Sequence, residues 1–203
     1  MITVGIYGGT FDVWHQGHEA ILQDMVGKVD VLYVIPTSIT YYKKNKILHT
    51  FEERYNDLLK RTMHIPNVIV SDIERNKDEH WGFVDTLKLI ARRYPKQKIK
   101  VAIGGDSFIT LPTWHRYEEV VANCSLIVYN RPGYSTERFP DIEHEFVEMN
   151  IDISSSQLRK EIRGMSDEEF ELMLDESWWS EAEDLLSKED IVNAAANELE
   201  EDK

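Results

Sequence analysis

Apolar and polar positions alternate along the chain in two rhythms. Ile2 to Tyr7 is a short, β-branched apolar run that stops at Gly8-Gly9. From about Gln16 to Val26, Ala20, Ile21, Leu22 and Met25 return at helical spacing. Val31 to Ile35 reads as a buried strand ended by Pro36, and Tyr41 to Lys46 as a polar, basic loop. A helix follows from about Phe51 to Met63, where Thr50 with Glu53 forms a capping box. Val68 to Ile73 reads as a third strand, Phe83 to Arg93 as a helix and Ile99 to Ile103 as a fourth strand. A helical stretch near Trp114 to Val121 leads into a fifth strand, Leu126 to Tyr129. This alternation predicts an α/β, Rossmann-like doubly wound parallel sheet, which binds ligands beyond the carboxyl ends of its strands. Gly8-Gly9, Gly104-Gly105-Asp106 and Arg131-Pro132-Gly133 each follow a predicted strand and are expected to line that crevice.

Beyond Asp167 the rhythm changes. Asp and Glu dominate, and Trp178-Trp179, Leu185-Leu186 and Ile191-Val192 are the apolar anchors. Residues 1–165 are expected to form the main domain. Residues 166–203 are expected to form an acidic helical extension that docks on the core or carries contacts to a second copy or another protein.

Charge and cysteine content narrow the function classes. Twenty-three Lys and Arg against 37 Asp and Glu give a net charge of −14, which disfavours non-specific attraction to nucleic acid or to an anionic membrane. A small-molecule partner is expected. A phosphate ligand remains compatible, because such sites are built from local amides, histidines and a few cations. The single cysteine, Cys124, lies beside the run Leu126-Ile127-Val128-Tyr129 and reads as buried filler in a reducing cytoplasm. No stretch of 18 consecutive apolar residues suggests a membrane span.

The candidate chemistry sits at the strand ends. Two glycines after the first strand let backbone amides approach a phosphate closely, and the following helix offers free N–H groups and a positive dipole end. A glycine pair is also an ordinary tight turn, so the residues after it matter more. Asp12, His15 and His18 follow within eleven residues of Gly8, with Gly17 between the histidines. At i and i+3 the two imidazoles are expected to share one helix face and to donate to one polyphosphate. A zinc site is the weaker reading, since no third ligand is near. Ser154-x-x-Gln157 reads as a capping box that starts another helix; its serines either cap only or also hold an anion, with Arg159 one turn inside. Asp106 either caps a turn or accepts from a ribose hydroxyl. Lys43, Lys44 and Lys46 crowd one loop, with Arg54 on the helix beyond it. The cluster is either a solvated face or the source of one phosphate-binding cation.

Gly8-Gly9-Thr10-Phe11-Asp12-Val13-Trp14-His15-Gln16-Gly17-His18 resembles the signature of the H-x-G-H nucleotidyltransferase superfamily. Ile103-Gly104-Gly105-Asp106-Ser107, Leu111-Pro112-Thr113-Trp114, Arg131-Pro132-Gly133 and Ile153-Ser154-Ser155-Ser156-x-x-Arg159 extend the likeness to bacterial nicotinate-nucleotide adenylyltransferase, over about residues 2 to 163. The resemblance implies transfer of an adenylyl group from ATP, with magnesium, to a pyridine mononucleotide. It implies ATP contacts from Gly8, Gly9, Thr10, Phe11, His15, His18, Gly104, Asp106, Ile153, Ser154, Ser155, Ser156 and Arg159. It implies mononucleotide contacts from Thr10, Trp81, Phe83, Asp106, Trp114 and Arg131, with the Trp114 ring stacked on the pyridine. Catalytic roles then fall to His15, His18, Lys43 or Lys44, and Arg159. Two departures stand out. Val13 replaces a usual proline, and Phe83 replaces a threonine that nicotinate-using members place near the pyridine carboxylate. The second leaves the choice between nicotinate and nicotinamide mononucleotide open. A nucleotide-binding sensor without catalysis is the remaining alternative.

Overall fold

The computed structural model describes residues 2–38, 49–77, 80–130 and 141–149. Six parallel strands, β1 (Thr3–Gly9), β2 (Val31–Pro36), β3 (Val68–Val70), β4 (Lys98–Gly104), β5 (Ser125–Asn130) and β6 (His144–Glu148), form one sheet in the order β3-β2-β1-β4-β5-β6. The helices between them are α1 (Gln16–Lys28), α2 (Phe51–Thr62), α3 (Phe83–Arg93), α4 (Gly105–Thr110) and α5 (Tyr117–Asn123).

The period-2 alternation inside each apolar run sends side chains to both sheet faces, and both faces are buried. Val4, Ile6, Tyr33, Ile35, Val101, Ile103, Leu126 and Val128 pack on one face with Val84, Leu87 and Ile90 of α3 and Val120 of α5. Tyr7, Leu32, Val34, Ile127 and Tyr129 pack on the other with Leu22 and Met25 of α1 and Leu58 of α2. Continuous apolar strands, in place of half-polar ones, are what a sheet covered on both sides requires. Each fully buried Leu or Ile contributes about 1.5–3 kcal/mol of transfer free energy. Gly5 sets how closely α1 lies on the sheet, because a Cβ there would stand 2.8 Å from Leu32 Cδ1 and 2.9 Å from Val29 Cγ2.

The strand order reverses direction between β1 and β4, so chain crossovers leave in opposite directions and open a crevice at the carboxyl ends of those two strands. Gly8-Gly9 and Gly104 close β1 and β4 there.

Four sequence expectations change. The third strand is Val68–Val70, three residues in place of six. The helix expected near Trp114 to Val121 begins only at Tyr117. Leu111–Thr113 is a 3-10 turn, Trp114 is extended with ψ 146°, and Arg116 is left-handed with φ 56°. Gly105–Thr110 is helical, and β6 was not expected from the sequence. The basic loop at Tyr41 to Lys46, the segments from Arg131 and Ser154, and the acidic extension lie outside the described residues.

Candidate active site

The phosphate-loop candidate folds around its own aromatic residues. Phe11 has φ 49° and Val13 φ 68°, so the chain twice enters the left-handed region between Gly9 and the start of α1. Such strain persists only where surrounding packing fixes it, and is most costly for a β-branched residue. Packing does fix it here, since Phe11 is 3%, Val13 3% and Trp14 2% exposed. A Cβ on Gly9 would meet the Phe11 ring at 2.9 Å, so glycine is what lets that ring lie over the strand end. A proline at position 13 could not adopt this φ.

His15 corrects the expectation that both histidines lie within the helix: it is the N-cap of α1, with extended backbone. Its Nδ1 accepts from the N–H groups of Gly17 at 3.1 Å and His18 at 3.3 Å. An accepting Nδ1 places the proton of the neutral ring on Nε2, which is therefore a donor. His18, three residues on, still shares a face with it. The two rings stack with centroids 3.8 Å apart and planes inclined by 19°. Phe11 and Trp14 lie edge-on or tilted to His18 at 5.3 and 5.2 Å. Both imidazoles thus sit where α1 presents its N-terminal amides, beside the Gly8-Gly9 end of β1, in an arrangement suited to an anion.

Sequence reasoning named Asp12 and Arg54 but not the contacts by which they lock this loop. Asp12 is 1% exposed; its Oδ1 lies 2.6 Å from His49 Nδ1 and accepts from the His49 backbone N–H at 3.1 Å. Arg54, first taken with the lysines as part of one basic cluster, is instead 3% exposed on α2. Its guanidinium donates to the carbonyls of Thr10 at 2.6 Å, Thr37 at 2.9 Å and His49 at 3.2 Å. Burial lowers its pKa from the usual guanidinium range, against the pull of Asp12 and Glu74. Arg54 is therefore a tie between the ends of β1 and β2 and the start of α2.

Of the expected mononucleotide residues, Phe83 and Trp114 meet from separate segments. Phe83, first residue of α3, approaches the Gly8 Cβ position at 3.9 Å and meets the Trp114 ring edge-on at 5.7 Å. Both aromatics are half-buried. Trp81 Nε1 donates to Thr86 Oγ1 at 2.9 Å, and that hydroxyl donates to Glu74 Oε1 at 2.7 Å. Lys77 Nζ lies 4.4 Å from the Trp81 ring centre. Glu74 has a raised pKa, chiefly because burial disfavours its charge. Asp106 is exposed in the first turn of α4, and its Oδ1 stands 2.7 Å from where a Gly104 Cβ would be, so Gly104 leaves room for the carboxylate to fold back over the strand end. Lys43, Lys44, Arg131, Ile153, Ser154, Ser155, Ser156 and Arg159 lie outside the described residues.

Cys124 is not part of this chemistry. Its thiol donates to the Val120 carbonyl at 3.1 Å, and burial pushes its pKa up to about 12. Among the described residues, no group of three or more His, Cys, Asp or Glu side chains is arranged to hold a metal ion, and no helix is long and apolar enough to cross a membrane.

The family described as Cytidylyltransferase-like matches residues 6–161. A "Probable nicotinate-nucleotide adenylyltransferase" of Shouchella clausii is 32% identical over 165 residues, which are 80% of this chain and 85% of that protein. The chain belongs to the nicotinate-nucleotide adenylyltransferase family of cytidylyltransferase-like proteins. A relative of the same description from Nitratiruptor is 30% identical over 77% of this chain and 86% of that protein. The fold is also that of the Plasmodium falciparum nicotinic acid mononucleotide adenylyltransferase solved with NaAD. That structure superposes with a TM-score of 0.71 at 19% identity, covering 86% of this chain and 91% of that one. The matched family span begins inside β1 and runs through Arg159, so every segment expected to build the nicotinate-nucleotide adenylyltransferase site falls within it.

Proposed function

We infer that this protein transfers the adenylyl group of ATP to nicotinate mononucleotide, giving deamido-NAD and pyrophosphate in NAD biosynthesis. The observation that carries the reading is the stacked His15–His18 pair at the start of α1, set beside Gly8-Gly9 at the point where the sheet reverses direction. Relatives at up to 32% identity carry the same activity in their names.

The acceptor 5′-phosphate is already a nucleophile, so the reaction needs no covalent enzyme intermediate. It attacks the α-phosphorus of ATP in line; the new O–P bond forms as the bond to the pyrophosphate oxygen breaks. The protein's part is positioning and stabilisation of developing charge. His15, with its proton set on Nε2, and His18 donate to the polyphosphate. The N-terminal amides of α1 add fixed positive potential. Lys43 or Lys44, the Ser154–Ser156 segment and Arg159 are proposed to complete the anion cradle. Phe83 and Trp114 form the aromatic wall for the pyridine, and Asp106 takes a ribose hydroxyl. Magnesium enters with ATP, as part of the substrate complex. The chain is placed in the cytoplasm, in keeping with its single, buried cysteine.

The test is pyrophosphate release from ATP and magnesium with nicotinate mononucleotide and nicotinamide mononucleotide in parallel, with the products identified. Deamido-NAD formed at higher kcat/KM than NAD is the expected result. Preference for the amide would make the chain an NAD-forming enzyme, and release with neither would overturn the enzyme reading.

A further inference from the structure

An apolar groove of about 440 Å³ lies between the last turns of α2 and the edge strand β3, lined by Leu59, Met63, Ile65, Pro66, Val68 and Val70. Helix α2 starts beside the crevice and ends where β3 begins, so the groove stands apart from the nucleotide site. Leu59 and Met63, one helical turn apart, are 39% and 84% exposed. Exposed Ile2 and Phe146 stand singly elsewhere, which is ordinary for a protein surface; a contiguous apolar patch marks a place where something binds. The outer edge of β3 also has no strand partner among the described residues, and such edges are commonly covered.

The chain itself carries a segment of matching chemistry. Trp178, Ala182, Leu185, Val192, Ala196 and Leu199 recur at steps of four, three, seven, four and three, the spacing of one helix face, in a segment otherwise rich in Asp and Glu. An apolar stripe of this kind suits a hydrophobic groove. The charges agree as well. Lys60 is the one charged residue lining the groove, no carboxylate lines it, and Lys60 pairs with none among the described residues. A second copy turning the same face would bring only another Lys60, whereas residues 166–203 bring fifteen carboxylates. Reach is no obstacle. Strand β6 lies at the sheet edge opposite β3, five strand spacings or about 24 Å away. Twenty-nine residues lead from Met149 to Trp178, at about 1.5 Å each even if wholly helical.

We propose that the acidic extension docks on its own chain, with the apolar stripe from Trp178 to Leu199 seated in the α2–β3 groove and its carboxylates facing Lys60. The extension then covers the open edge of the sheet without entering the nucleotide crevice. The inference does not depend on which reaction the crevice catalyses.

Hydrogen exchange on the full chain tests both sides of the contact. Wild type is compared with Met63→Glu, which places a carboxylate in the groove at a position exposed enough to leave the fold intact, and with Leu185→Glu in the extension. Leu185→Glu is expected to speed exchange of amides in residues 58–70, and Met63→Glu that of residues 178–199. Each change should be at least about 10-fold, the ratio for losing one buried apolar side chain, with the rest of the sheet unaltered. Sedimentation velocity on wild type is expected to show the same species across a 100-fold range of concentration while this protection persists. Unchanged exchange of residues 58–70 in Leu185→Glu, or of residues 178–199 in Met63→Glu, overturns the proposal. So does protection that appears only as the chain self-associates, which would give the groove to a second copy.

Discussion

His15 does two things with one ring, and its two nitrogens separate them. Nδ1 caps α1 by accepting from Gly17 and His18, which sets the proton of the neutral ring on Nε2 as a donor. Asparagine can replace the cap but not that donor. His15→Ala is expected to lose about 1 kcal/mol of stability against urea relative to His15→Asn. Both should lose on the order of 100-fold in turnover. Recovery of activity in His15→Asn would reduce the histidine to a cap. Glu74 makes a second prediction at this scale. Burial holds its pKa above the ordinary 4.5, outweighing the Thr86 hydroxyl, the Ser38 amide and the Arg54 charge. A raised folded-state value favours the protonated form on folding. Its contribution is therefore fully present below pH 4.5 and is lost as pH rises through the raised value. Glu74→Gln cannot titrate, so its Tm relative to wild type is expected to rise between pH 4 and pH 7; a constant difference would contradict the assignment. His15 and His18 were legible because their spacing is local. The Asp12–His49 contact and the Arg54 bonds to Thr10 and Thr37 join residues far apart in sequence, and no local pattern announces them.

At the scale of elements, α2 is secured by its capping box at Thr50–Glu53 and by the guanidinium one turn inside it. Arg54 supplies donors in a fixed fork to three carbonyls that would otherwise be buried without that partner. Lysine at this place cannot reach all three at once. Arg54→Lys is expected to cost about 2 kcal/mol in urea unfolding and to reduce turnover as well, because Thr10 loses its anchor. A variant that is destabilised but fully active would show that the tie serves the fold alone. The main helices and the inner strands could be read from periodicity, since both sheet faces are covered. The edges could not. The run His144–Glu148 is mostly exposed and too polar to stand out, and β3 stops after Val70, since an edge strand has a partner on one side only. Around Trp114 the helical spacing of apolar residues continues, but Pro112 starts a tighter turn and Arg116 turns left-handed, which delays α5 to Tyr117.

For the whole molecule, charge is distributed very unevenly along the chain. Residues 166–203 hold fifteen acidic and two basic side chains, so thirteen of the fourteen net negative charges belong to the extension and residues 1–165 are close to neutral. The family match ends at residue 161, before that segment begins. Removal of residues 166–203 is expected to leave kcat/KM within about 2-fold and to abolish retention on an anion exchanger near pH 7. An inactive but folded product would place part of the extension in the active site.

The position of β1 in the sheet also bears on how the chain is made. This strand ends in the phosphate loop and lies between β2 and β4, with Thr3 paired to Lys98. On the ribosome it emerges before β2 and β4 and can join β2 early, but its other edge has no neighbour until Lys98 and the residues after it have been synthesised. At about 5–20 residues per second that edge waits several seconds. Pairings between such distant residues close slowly. The central strand of the active site is therefore the part of the nascent chain most in need of a chaperone's cover, and codon changes that slow synthesis between Pro36 and Lys98 are the ones that prolong its exposure.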